Sequence, residues 1–75
     1  SAEKVFTEAQ DNLGVMYDKG QGVPQDYVLA HMWWNLAGSN EHKGAIKKRN
    51  LLKKKMTPPQ IEKAQEMARN WNPKK

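Results

Sequence analysis

Apolar positions recur twice along this 75-residue chain at nearly one interval. Tyr27, Ala30, Trp34 and Ala37 are matched 34 residues later by Ile61, Ala64, Ala68 and Trp71, and Ala9 is matched 36 residues later by Ala45. Within each set the steps are three and four residues, the spacing of one face of an α-helix. An interval near 35 made of two such stripes predicts a helix–turn–helix unit and its copy, stacked as an α-solenoid. No sustained alternation of apolar and polar residues signals a strand. The expected fold class is therefore all-α: two helical hairpins, the second degenerate and acting as a C-terminal cap.

The first helix is expected over about Ala2 to Lys19, with Val5, Ala9, Leu13 and Met16/Tyr17 as its buried stripe. Gly20 stands where a left-handed glycine ends a helix. Gly20-Gln21-Gly22-Val23-Pro24 reads as a turn. The second helix is expected from Gln25 or Asp26 to Gly38, with Asp26 placing negative charge in its first turn. The third is expected from about Glu41 to Lys55, on the stripe Ala45, Arg49, Leu52 and Met56, with Arg49 as its weak point. The fourth is expected from Pro58 to Trp71, with Ile61, Ala64, Ala68 and Trp71 buried. Thr57 is a good N-cap, Pro58 fits the first helical position, and Gln60 completes a capping box. Met56 and Ile61 are placed to form a hydrophobic staple. The chain reads as one domain, with a first repeat over about 2–38, a cap over about 41–71 and a tail, 72–75, that frays.

A domain this small buries only about 60% of the surface its unfolded chain exposes. It contains no cysteine to staple it. The same absence excludes thiolate-ligated metal sites and a thiol nucleophile. Apolar runs reach three or four residues, as in Val28-Leu29-Ala30, too short to span a membrane. No basic region followed by an apolar run marks a leader peptide. A soluble chain of the cytoplasm or periplasm is the expectation.

The net charge of +5 is a local matter. Lys43, Lys47, Lys48, Arg49, Lys53, Lys54 and Lys55 crowd the third helix, whereas residues 1–42 set only Lys4 and Lys19 against Glu3, Glu8, Asp11, Asp18, Asp26 and Glu41. An acidic first half argues against a nucleic-acid-binding domain. The basic helix 43–55 still offers an alternative: an anion-binding surface for nucleic acid or an acidic membrane. No aromatic residue is interleaved with the lysines, so base stacking has no support.

Catalytic signals are weak. His31 and His42 are eleven residues apart without acids at ligand spacing on a shared face, so both read as surface histidines and no metal is expected. Ser39 sits in a connection with no obvious base beside it. Asp11, Asp18 and Asp26 could pass for paired acids, but Asp18 near a helix C-terminus and Asp26 near an N-terminus read as turn and capping residues. Gly20-Gln21-Gly22 follows no strand, which leaves no phosphate loop. No cofactor is expected. Adjacent Trp33 and Trp34 point about 100° apart, which assigns Trp34 to the core and Trp33 to its edge, as packing or as a partner contact.

The run from Ala9 to Tyr27, continued by Ala30, Trp34 and Ala37, resembles the Sel-one-like repeat, a relative of the tetratricopeptide repeat. Ala9, Leu13, Gly14, Tyr17, Gly20, Gly22, Val23, Asp26, Ala30 and Ala37 stand at that family's signature positions. The second unit departs from the pattern: Arg49-Asn50 replaces Leu-Gly, and Lys53 stands where Tyr is expected. The resemblance implies an α/α superhelix and a non-catalytic scaffold that binds a protein or peptide partner, of bacterial type. It also implies either further repeats upstream or a homo-oligomer. Cysteine-rich secreted members, some reported as penicillin-binding, lie apart from this cysteine-free chain. By analogy the first helix lines the concave side, making Asn12, Met16 and Lys19 partner-contact candidates alongside Trp33. Phe6 is the candidate for self-association or contact with an upstream repeat.

Overall fold

The computed structural model describes residues 2–71, with side chains from residue 5 onward. The tail 72–75, expected to fray, lies outside the described residues. Four helices follow in order: α1 (Ala2–Lys19), α2 (Tyr27–Ser39), α3 (Lys43–Lys53) and α4 (Pro58–Asn70). The described chain is all-α, and α2 is its central helix, packed against each of the other three.

Local chemistry sets the helix ends. Gly20 and Gly22 adopt φ of +70° and +75°, a left-handed conformation that costs glycine nothing. The Gly20 N–H donates to Met16 O at 2.7 Å, and Asp26 N–H donates back to Tyr17 O at 3.0 Å, folding the loop onto the end of α1. Asp26 then caps α2, its Oδ1 accepting from Leu29 N at 3.2 Å. It stands one residue before the helix rather than in its first turn. Helix α3 is shorter than the stripe suggested. Glu41 has φ +67° and cannot be helical, so α3 starts at Lys43. At the far end Lys55 N–H donates to Leu52 O, a tighter i→i−3 turn that closes the helix at Lys53. The capping box of α4 forms as the sequence indicates: Gln60 N donates to Thr57 Oγ1 at 3.4 Å and Thr57 N to Gln60 Oε1 at 2.9 Å.

The core consists of Ala30, Trp34, Ala37, Ala45, Leu52, Met56 and Ala64, with Val15, Tyr17, Tyr27, Val28 and Ile61 packed around it. Four of these core residues are alanines, which bring the helices close together. A Cβ on Gly38 would lie 2.7 Å from Ile46 Cγ1, so α2 and α3 also approach closely at that point.

The expected buried stripe of α1 packs only toward its far end, where Tyr17 meets the core. Val5 is 68% exposed and Ala9 is exposed as well. The buried face carries Thr7, Gln10, Asp11 and Gly14 instead. Trp34 is the cause. A Cβ on Gly14 would lie 2.3 Å from Trp34 Nε1, so the indole rests on bare α1 backbone there. Its Nε1–H donates to Asp11 O at 3.1 Å. This contact fixes the rotation of α1 and turns Val5, Phe6 and Ala9 outward. Trp71 also leaves its expected place. It is the C-cap of α4, still 38% exposed, and meets Trp33 edge-on with ring centroids 5.1 Å apart.

Candidate functional site

Helices α1 and α3 both lean on α2, and a polar bridge joins them at one level. Asp11 stands in the middle of α1. Its Oδ2 accepts from His42 Nε2 at 2.9 Å, and Lys48 Nζ reaches Oδ1 at 3.1 Å and Oδ2 at 3.0 Å. An ionised carboxylate only accepts, so His42 carries its proton on Nε2. Burial pushes the Asp11 carboxyl up, but hydrogen bonds from His42 and Lys48, backed by the Lys48 charge, outweigh it and hold the carboxyl below its ordinary value. His42 is thus a half-buried crosslink and not a surface histidine. Ser39, the hydroxyl nearest it in sequence, donates to Leu36 O at 2.7 Å instead. The bridge is built to hold helices together.

His31 departs further from its expected surface position. It is 1% exposed, and neither ring nitrogen has a hydrogen-bond partner. Burial, then the Arg49 and Lys53 charges on α3, push its pKa down to about 4, so the ring is neutral at pH 7. Arg49, the weak point of its stripe, is accommodated by donating from Nη1 to Asn35 Oδ1 of α2 at 2.9 Å. Two of the seven basic groups of segment 43–55, Lys48 and Arg49, therefore point inward to structural partners.

Two turns beyond Asp11 the same pair of helices parts into a groove of about 210 Å³. Asp18 from α1, Trp34 from α2, Lys48, Leu51 and Leu52 from α3, and Lys55 just past its end line this groove. Leu52 and Trp34 are buried and form the floor, while Leu51 is 57% exposed. Sequence reasoning missed this groove. Its signal was Leu51 beside Leu52, one leucine more than the buried stripe of α3 needs.

The residues singled out from sequence do not converge on it. Asn12, Met16 and Lys19 share one face of α1 at steps of four and three, but a face other than the one that bears Asp18. Met16 lies against the Gly22 turn. Phe6 is exposed near the start of α1. Trp33 is half-buried between α2 and Trp71. Among the described residues no group of three His, Cys, Asp or Glu side chains is placed to hold a metal ion, and no helix is long and apolar enough to cross a membrane.

The α1–α2 hairpin, with its two left-handed glycines and a tryptophan seated on the glycine of the first helix, has a family counterpart. Residues 7–42 match the family model of the Sel1 repeat. This segment is a Sel1 repeat. No curated protein and no solved structure matches the chain. The Sel1 repeat ends on His42, the residue that bonds back to Asp11, so the bridge lies at the boundary where the repeat meets α3. Sel1 repeats are helical hairpins that mediate protein–protein interaction.

Proposed function

We propose that this chain is a non-catalytic interaction module that binds a protein partner, as a scaffold of the Sel1 type. One observation carries the reading. The core is made largely of alanine, while Val5, Phe6 and Leu51 stand exposed on faces of α1 and α3. Large apolar side chains outside and small ones inside are what a surface awaiting a partner presents. The polar groups that would draw attention as chemistry, Asp11, His42 and Lys48, are engaged with one another. The outer face of α1, with Asn12, Met16 and Lys19, and the α1–α3 groove are the proposed contact surfaces. Phe6 is proposed to meet a second copy or a neighbouring repeat.

Photo-crosslinking tests this. A benzophenone side chain placed at Met16 or Leu51 should give a discrete covalent adduct with a protein of the source cell. The same probe at Lys63, on the exposed side of α4, should give none. Equal labelling from all three positions would overturn the reading.

A further inference from the structure

We infer that the α1–α3 groove is an anchor site for an acidic peptide, which inserts one large apolar side chain between Leu51 and Trp34 and sets a carboxylate beside Lys55. This inference rests on the interaction-module reading and names the partner's chemistry.

Size comes first. A groove of about 210 Å³ lies below the roughly 300–1,000 Å³ of cofactor and drug-sized sites, yet far above the roughly 30 Å³ share of one water. It has room for a single leucine, methionine or phenylalanine side chain. The walls suit such a guest. Trp34 and Leu52 supply a buried apolar floor that is already ordered by the core, so the site exists before the guest arrives. Leu51 stands mostly in solvent at the wall and gains burial only when something covers it.

Charge selects the flanking residues. Lys48 is committed to Asp11. Lys55 lines the groove, is exposed, and its side chain has no ion-pair or hydrogen-bond partner among the described residues. Segment 43–55 as a whole carries seven basic residues and no acid, and Asp18 alone opposes them across the groove. The potential along the α3 side is positive, so carboxylates beside the anchor complement it and lysines do not. A smooth polyanion matches the charge but leaves Leu51 uncovered. The anchor side chain separates the two.

The probes are short fluorescein-labelled peptides read by anisotropy at low salt: one central phenylalanine between acidic residues, the same acids around a central glycine, and the phenylalanine between lysines. The first should bind saturably, at least about tenfold more tightly than either of the others, as expected for burial of one aromatic anchor. Leu51→Glu should weaken it by tenfold or more, and Lys55→Gln by about two- to fivefold, the scale of an exposed charge pair. Both positions are exposed, and circular dichroism checks that the variants keep their helices. Equal binding of the phenylalanine and glycine peptides, or affinity unchanged in Leu51→Glu, overturns the inference. So does equally tight binding of an RNA oligonucleotide, which would assign the basic surface to polyanions. If the Met16 probe captures a protein and still does so in Leu51→Glu, while no peptide binds the groove, the module reading stands and the groove assignment falls. If neither the Met16 nor the Leu51 probe gives an adduct and no peptide binds, both fall.

Discussion

Lys48 Nζ lies within 3.1 Å of both carboxylate oxygens of Asp11 and so ties α3 to α1 across 37 residues of chain. The carboxylate is nearly buried, while the Lys48 side chain is 43% exposed. Solvent therefore screens one end of the pair and limits its worth.

Asp11→Ala removes the acceptor for both His42 and Lys48. Both donors can rehydrate, so the expected loss is about 1–2 kcal/mol, or a melting temperature lower by roughly 4–8 °C per kcal/mol in a domain of this size. The folded carboxyl titrates below its unfolded value of 3.8. Its stabilisation is complete above 3.8 and is lost as pH falls through the lower folded value. Melting curves at neutral pH and near pH 3 should therefore differ less in Asp11→Ala than in the parent. An Asp11→Ala melt identical to the parent's at pH 7 would show the bridge to be idle.

His31 should dominate the milder acid range. Its folded pKa is about 4, against 6.5 when unfolded. The unfolded chain takes up the proton first, so stability is complete above pH 6.5 and falls as pH drops toward 4. The separation is worth about 3 kcal/mol. His31→Leu fills a comparable space and removes two unpartnered ring nitrogens. At pH 7 it should be neutral or stabilising, because replacing an unsatisfied buried polar group with an apolar one carries no desolvation penalty. Chemical denaturation between pH 7 and 4.5 checks both points. A parent chain whose stability is flat over that range would contradict the buried neutral ring.

Gly14→Ala sets two effects against each other. Alanine favours a helix by about 1 kcal/mol over glycine. The added Cβ, however, falls 2.3 Å from Trp34 Nε1, deep inside contact distance. Overpacking of this kind costs about 1–3 kcal/mol, and here it also displaces the indole from Asp11 O, so the clash should win. Trp34→Ala leaves a large void and should cost about 3–5 kcal/mol, enough to unfold much of a marginal domain. Thermal melts of both variants, with Trp34→Ala the lower, are the check. A Gly14→Ala variant more stable than the parent would place Trp34 elsewhere.

Much of the architecture was legible because it is encoded locally. The capping box at Thr57 and Gln60, the glycines at 20 and 22 and the stripe Ala30, Trp34 and Ala37 each need only near neighbours in sequence. The rotation of α1 was not legible from periodicity. Its apolar residues form a clear stripe, yet the side that packs is chosen by a tryptophan 20 residues away that needs a residue without a Cβ. Gly14 in mid-helix was the available clue, since an interior glycine weakens a helix unless something approaches its backbone. The bridging role of Asp11 was not legible for a related reason. Its partners are Lys48 on α3 and His42 just before that helix, and no spacing along α1 reveals them. The groove shares that origin, because its walls belong to α1, α2 and the α3 segment.

The basic segment should divide into two classes when its charges are removed one at a time. Lys43, Lys47 and Lys54 are exposed and turn away from the core. Changing them together to Gln should move stability by no more than about 0.5 kcal/mol, as for surface substitutions away from any partner. Relief of like-charge repulsion along one helix could even raise it slightly. Arg49→Gln is different. It withdraws the guanidinium from Asn35 Oδ1 at 2.9 Å and takes a positive charge away from buried His31. The first change should lower stability at pH 7 by about 1 kcal/mol. The second should let the folded His31 ring accept its proton more readily, so the acid-induced loss still begins near pH 6.5 but ends at higher pH and is smaller in total than in the parent. Denaturation of the triple variant and of Arg49→Gln at pH 7 and pH 4 separates these terms. A triple variant that loses as much as Arg49→Gln would mean that the outer lysines hold the fold together after all.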